Sequence, residues 1–121
     1  MLKKKNNSLH QYTVPRGRIF CLDPADEPEE LGLVLVVSNE LHNQFSSHLV
    51  VVLVTDKNVE KVRPSLEIPC QMKGKKMKIL TSHLHTISRE IFYRIANYLG
   101  ILDEDTMLKV NERIRSILDL G

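Results

Sequence analysis

The sequence predicts an α+β domain, a small, strongly twisted, partly barrelled antiparallel sheet with a C-terminal amphipathic helix. Three observations carry that expectation. Two strand-length runs, residues 31–38 (LGLVLVVS) and 48–55 (HLVVVLVT), are almost wholly aliphatic and β-branched, as strands buried on both faces are. The last stretch places Met107, Val110, Ile114, Ile117 and Leu118 at spacings of three and four, with Lys109, Arg113 and Arg115 on the other side. And 121 residues suit one domain, because two independent cores would each be marginal in size.

The elements follow in order. Residues 1–12 carry three consecutive lysines and no apolar period, which reads as a basic flexible tail ahead of a single domain at 13–121. Pro15-Arg16-Gly17 is turn chemistry, and residues 18–22 (RIFCL) form a first short strand. Residues 23–30 (DPADEPEE) hold five acids and two prolines, an acidic loop. After the 31–38 strand, residues 39–47 suit a turn or one helical turn, and 48–55 is the second buried strand. Residues 56–76 read as a long charged excursion with one weak strand at 65–70 (SLEIPC), and 77–86 as a further strand. Ser88 is placed to cap a short helix beginning REIFYRI. Residues 95–102 fit strand or helix equally. Asp103-Glu104-Asp105 puts acids at the start of the terminal helix, where its dipole favours them.

Composition narrows the function classes. The chain has 17 Lys+Arg against 15 Asp+Glu, a net +2 too weak to indicate nucleic-acid binding by itself. The distribution says more: residues 57–78 hold seven basic residues against two acids, a candidate polyanion-facing surface or simply a solvated loop. No apolar run is long enough to span a membrane, and no signal-peptide pattern opens the chain. Cys21 and Cys70 make neither a metal spacing nor a disulfide framework, so a cytoplasmic protein with reduced thiols is expected.

No glycine-rich phosphate loop is present. His83 and His85 stand two apart, so on a regular strand they share a face. They can divide general-base and general-acid work, since imidazole titrates near neutral pH, or they are simply the polar face of a strand. A metal would need a third ligand that no spacing singles out, so neither metal nor cofactor is expected. Thr55 ends a fully apolar strand and is followed by Asp56 and Lys57. Its hydroxyl can donate to a phosphate oxygen with Lys57 supplying charge, or it merely terminates the strand. His42 and His48 read as surface residues.

Taken together, VPRGRIFCLDP, LVLVVSNELHNQ, LVVVLVTDK, HTISRE and the terminal helix resemble the MazF/PemK (Kid) family of toxin endoribonucleases. Pro15-Arg16-Gly17, Asp23-Pro24, Val36-Val37-Ser38-Asn39, Asn43, Thr55 and Thr86-Ile87 match its motifs in order, over nearly the whole chain. The resemblance implies a homodimeric, metal-independent enzyme that cuts single-stranded RNA and is neutralised by a cognate antitoxin. It also implies attack of the 2′-hydroxyl on phosphorus, with a base, an acid and cations at the site. Departures accompany the matches. The family's Arg-Pro before the second strand falls on Gly32-Leu33, the aspartate of its RGD on Arg18, and the acid and arginine of its later segment on Ser82 and His85. The expected site is therefore rebuilt, with His83, His85 and Thr55 as catalytic candidates and Arg16, Arg18, Lys57, Lys73, Lys75 and Lys76 as RNA-binding candidates. The alternatives are a non-catalytic member that binds nucleic acid or protein, and a gyrase inhibitor like the CcdB toxins.

Overall fold

Strand β1 (Arg18–Leu22) pairs with β2 (Leu33–Val36), which pairs with β3 (His48–Thr55), each neighbour antiparallel. The structure, a computed structural model, describes residues 13–22 and 32–119; the basic tail and the acidic loop lie outside the described residues. β4 (Glu67–Met72) and β5 (Lys75–Ser88) complete one side of the sheet and β6 (Ala96–Ile101) the other, giving the order β4-β5-β3-β2-β1-β6. Helix α1 (Glu40–Phe45) joins β2 to β3, α2 (Arg89–Ile95) joins β5 to β6, and α3 (Glu104–Ile117) ends the fold. This is the α+β architecture expected, with a C-terminal helix on a curled antiparallel sheet.

The unbroken apolar runs are explained by two cores, one on each face of the sheet. Val34, Val36, Leu49 and Val51 point to a cluster completed by Phe20, Phe92 and Ile95, the last two from α2. Leu35, Val52 and Val54 point to the other, completed by Ile79, Met77 and Val110, the last from α3. Alternate residues of β2 and β3 thus have a core on either side, so no polar position is left along them. Within α3, Val110 is buried, and Met107 and Ile114 pack beside it, whereas Leu118 is 49% exposed. The apolar period runs one residue beyond the surface that the sheet offers.

Several residues that carried the family resemblance have structural roles. Asn39 caps α1, accepting from the His42 N–H at 2.8 Å. Asn43 is fully buried and donates to the carbonyls of Val14 at 2.7 Å and Ser38 at 3.0 Å, while Ser38 Oγ bonds Asn43 Oδ1 and accepts from the Val50 N–H at 3.0 Å. Arg89 donates to the carbonyls of Asn43 and Gln44, which would otherwise be open at the end of α1. The expected cap at Ser88 accepts from the Ile91 N–H, and Asp103, the first of the acids at the start of α3, accepts from the Thr106 N–H.

One strand is shorter than the sequence reading, and two segments that it left open or apart are resolved. The second strand spans only Leu33–Val36, because Val37 already leaves the ladder and bonds back to the Val50 carbonyl. Of the 95–102 segment, open between strand and helix, Ala96–Ile101 is strand, drawn out by pairing with β1, while Ile95 closes α2. The weak strand expected at 65–70 and the strand expected at 77–86 are the two arms of one hairpin, with bounds Glu67–Met72 and Lys75–Ser88: Lys73 and Gly74 both have positive φ, 54° and 80°, as a type I′ turn requires. β4 lies at the sheet edge, where Pro69 costs no ladder bond. Among the described residues no helix is long and apolar enough to cross a membrane.

Candidate active site

Thr55 and Lys57 form a ridge between two clefts, each of about 650 Å³, and both residues line both. The first cleft opens between the ends of the sheet. Gly32 and Leu33 from the start of β2, Cys21 of β1, Leu99 of β6, and Met72, Lys73, Lys75 and Met77 of the β4–β5 hairpin surround it. The second lies toward the 56–66 loop, with Asn58, Lys61, Val62, Arg63, Glu67, Lys78, Leu80 and His83 around it.

The ridge is held locally. Thr55 Oγ1 accepts from the Lys57 N–H at 3.1 Å, which leaves the hydroxyl proton free to donate outward. Lys75 reaches back to Asp56 at 2.8 Å, and that ammonium holds the Asp56 carboxyl below the usual carboxylate range. The same contact raises Lys75 above its ordinary value. Lys57 and Lys73, with no such partner among the described residues, are the free cations of the first cleft.

Under the second cleft is a more buried pair. Lys78, opposite Thr55 in the β3–β5 ladder, donates to Glu67 at 3.0 Å and to the Lys61 carbonyl at 2.6 Å. Glu67 also accepts from the Arg63 N–H at 3.0 Å, and that backbone bond, with Lys78 second, holds its carboxyl below the ordinary range. The pair fastens the 56–66 loop to the sheet. Lys78, counted among the basic residues of a solvated loop, is in fact only 7% exposed and consumed by this network.

His83 and His85 are separated by a change of register. β3 takes one step from Val52 to Leu53 while β5 runs from Leu84 to Leu80, so Thr81, Ser82 and His83 have no partner on β3. An odd number of inserted residues reverses which face the next ones use, and the simple alternation argument fails here. Thr81, fully buried, fixes the bulge by donating through both N–H and Oγ1 to the Leu66 carbonyl, at 3.0 and 2.6 Å. His83 reaches the second cleft; His85 pairs with Val51 in mid-strand and lines neither cleft.

Of the predicted site residues, the fold brings Thr55, Lys57, Lys73, Lys75 and His83 to the two clefts. It does not bring Arg16 or Arg18. The Gly17 N–H bonds the Val36 carbonyl, at the end of β2 remote from Leu33 and Thr55, and Arg18 pairs with Ile101. Arg16 turns to α3 and bonds Asn111 Oδ1; burial lowers its guanidinium pKa and leaves its Nε without a partner. Lys76 lines a separate hollow with Pro69, Cys70 and Gln71. Sequence reasoning passed over Lys61 and Arg63 as members of a charge run; their nearness to Thr55 in the chain was the available signal. Among the described residues no group of three His, Cys, Asp or Glu is placed to hold a metal ion.

A family model described as PemK-like, MazF-like toxin of type II toxin-antitoxin system matches residues 15–118. The chain belongs to that family. Its fold is shared with an endoribonuclease from Mycobacterial species, at 20% identity and a TM-score of 0.70 over 89% of this chain and 93% of that one. It is shared too with MazF in a MazE–MazF crystal structure from Deinococcus radiodurans, at 20% identity, TM-score 0.70, 91% and 100% coverage. A mycobacterial endoribonuclease in complex with its cognate antitoxin is similar at 21% identity, TM-score 0.70, 89% and 97% coverage. No curated protein matches the chain. In this member of the PemK/MazF family, Gly32 and Leu33 occupy the wall of the first cleft where the sequence comparison expected Arg-Pro, so the free charge there comes from Lys57 and Lys73 instead.

Proposed function

We propose that this chain is the toxin of a type II toxin–antitoxin pair: a metal-independent endoribonuclease that cuts single-stranded RNA in the cytoplasm, works as a homodimer, and is neutralised by a cognate antitoxin. The observation that carries the reading is the Thr55–Lys57 ridge, a free hydroxyl donor beside a free cation, with Lys73 on one side and His83 on the other. A scissile phosphate seated on the ridge accepts a hydrogen bond from Thr55, and Lys57 and Lys73 offset the charge that builds on its oxygens. His83 takes the proton of the neighbouring 2′-hydroxyl. The 2′-oxygen bonds to phosphorus as the bond to the 5′-oxygen on the opposite side breaks; that leaving oxygen takes a proton from water, and the imidazolium gives its own proton back to solvent. The products are a 2′,3′-cyclic phosphate and a 5′-hydroxyl.

A second reading, a non-catalytic RNA binder, is favoured by the Gly32-Leu33 pair in place of Arg-Pro. Incubating the pure protein with long single-stranded RNA in EDTA separates the two. Cleavage leaving 5′-hydroxyl ends is expected. Binding without cleavage on several long RNAs would select the binder.

A further inference from the structure

We infer that the second cleft is a nucleotide subsite, in which Lys61 and Arg63 hold the phosphate next along the strand from the one on the Thr55–Lys57 ridge. The inference rests on the RNA-cleaving reading for its ligand and on the geometry for its place.

The cleft has two walls, and buried polar bonds fix both. One is the 56–66 loop, fastened by Lys78 to Glu67 and to the Lys61 carbonyl. The other is the bulge of β5, fastened by Thr81 to Leu66. The bonds that build it use up Lys78 and Glu67, so the two cancel each other's charge. The side chains of Lys61 and Arg63 are exposed and make no hydrogen bond or close ion pair among the described residues, although Arg63 is near enough to help lower the Glu67 carboxyl; the loop's anchoring uses their backbone atoms instead. A pair of unspent cations on a fixed wall, with apolar Val62 and Leu80 beside them, suits an anionic group carrying a flat apolar one. A nucleotide has that composition. Continuity supplies the rest: the ridge belongs to both clefts, so an extended polyanion crossing it leaves one and enters the other.

The test measures binding apart from cleavage. End-labelled 2′-O-methyl RNA oligonucleotides of increasing length, which lack the attacking hydroxyl, are titrated by fluorescence anisotropy against the wild type, Lys61→Ala/Arg63→Ala, and a control of equal charge loss on α3, Lys109→Ala/Arg115→Ala. Wild type and control should gain affinity as the oligonucleotide grows from one phosphate to several. The Lys61→Ala/Arg63→Ala protein should lose about tenfold on the longer ones, and its log–log salt slope should be shallower by about 1.4, two contacts at roughly 0.7 each. Exposed substitutions leave the fold intact, which a thermal melt checks. If the double variant matches the control at every length, or the wild type binds no oligonucleotide, the subsite does not exist. A protein that cuts RNA with binding indifferent to Lys61 and Arg63 loses the subsite and keeps the nuclease. One that binds through them but cuts nothing keeps the subsite and loses the nuclease.

Discussion

At the scale of single residues, two histidines that look equivalent in the chain do not stand in equivalent places. His83 is carried to the cleft by three unpaired residues of β5, and His85 is returned to the ladder opposite Val51. His83→Ala should therefore cost on the order of a hundredfold in cleavage rate, while His85→Ala should stay within a few-fold. Thr55→Ala should cost about tenfold, the worth of one hydrogen bond to phosphate. Full activity in His83→Ala would remove imidazole from the chemistry and leave proton transfer to water or a lysine. None of this was legible from the spacing of the histidines, because period-two reasoning holds only while the register is unbroken. The bulge is set by Thr81 reaching the Leu66 carbonyl, a contact between residues fifteen apart in sequence.

At the scale of elements, the sequence announced what is local and missed what is paired. Ser88 caps its helix from within one turn, and the acids at 103–105 open the last one, so local pattern placed those two starts; the Asn39 cap was not read from it. The runs of β2 and β3 declared double burial through composition. Both arms of the β4–β5 hairpin were read as strands, but the tight turn that joins them was not, because Lys73 occupies a turn position that favours Asn or Gly and its charge made 71–76 look like solvated loop. That mismatch is testable. Lys73→Asn should relieve the left-handed strain and stabilise the fold by about 0.5 kcal/mol, while weakening RNA binding by removing a free cation from the first cleft. Denaturant unfolding and RNA titration read the two effects separately; a loss of stability would show that the lysine is not strained there. Residues that match the family motifs also hold the fold: Arg16 ties the chain to α3, and Asn43 ties α1 to Val14 and Ser38.

For the whole molecule, charge sets the pH window of stability. The carboxyls of Asp56, Glu67 and Asp103 are each held below their ordinary values, by Lys75, by the Arg63 N–H with Lys78, and by Thr106 respectively. Their folded pKa values lie below the unfolded ones, so their stabilisation is complete above the ordinary carboxylate range, near pH 4, and is lost as the pH falls. Burial pushes the Cys70 thiol the other way, up to about 11. Its contribution is complete below the ordinary thiol range, roughly pH 8.5, and is lost as the pH rises through that raised value. Melting temperature should therefore fall at both extremes, with Glu67→Gln flattening the acid limb and Cys70→Ala the alkaline one; unchanged limbs would mean these groups titrate alike in both states. The homodimer is an assembly-scale statement with its own measurement. Light scattering at micromolar concentration should report twice the 13.9 kDa chain, and a monomer at all concentrations would rule it out.

The strand order places the first strand beside the last. Arg18 faces Ile101 across β1 and β6, and the first cleft takes Cys21 from one and Leu99 from the other. During synthesis these parts do not exist together until the ribosome has passed residue 99. At about 5–20 residues per second, several seconds separate the appearance of Thr55 from that of the wall it faces. A growing chain thus carries the hydroxyl and the lysines of the ridge long before it has an enclosed place to use them. For the RNA-cleaving toxin proposed above, whose own messenger would lie within reach while it is being made, that order of events postpones the finished cleft until the ribosome has passed the last strand of the sheet.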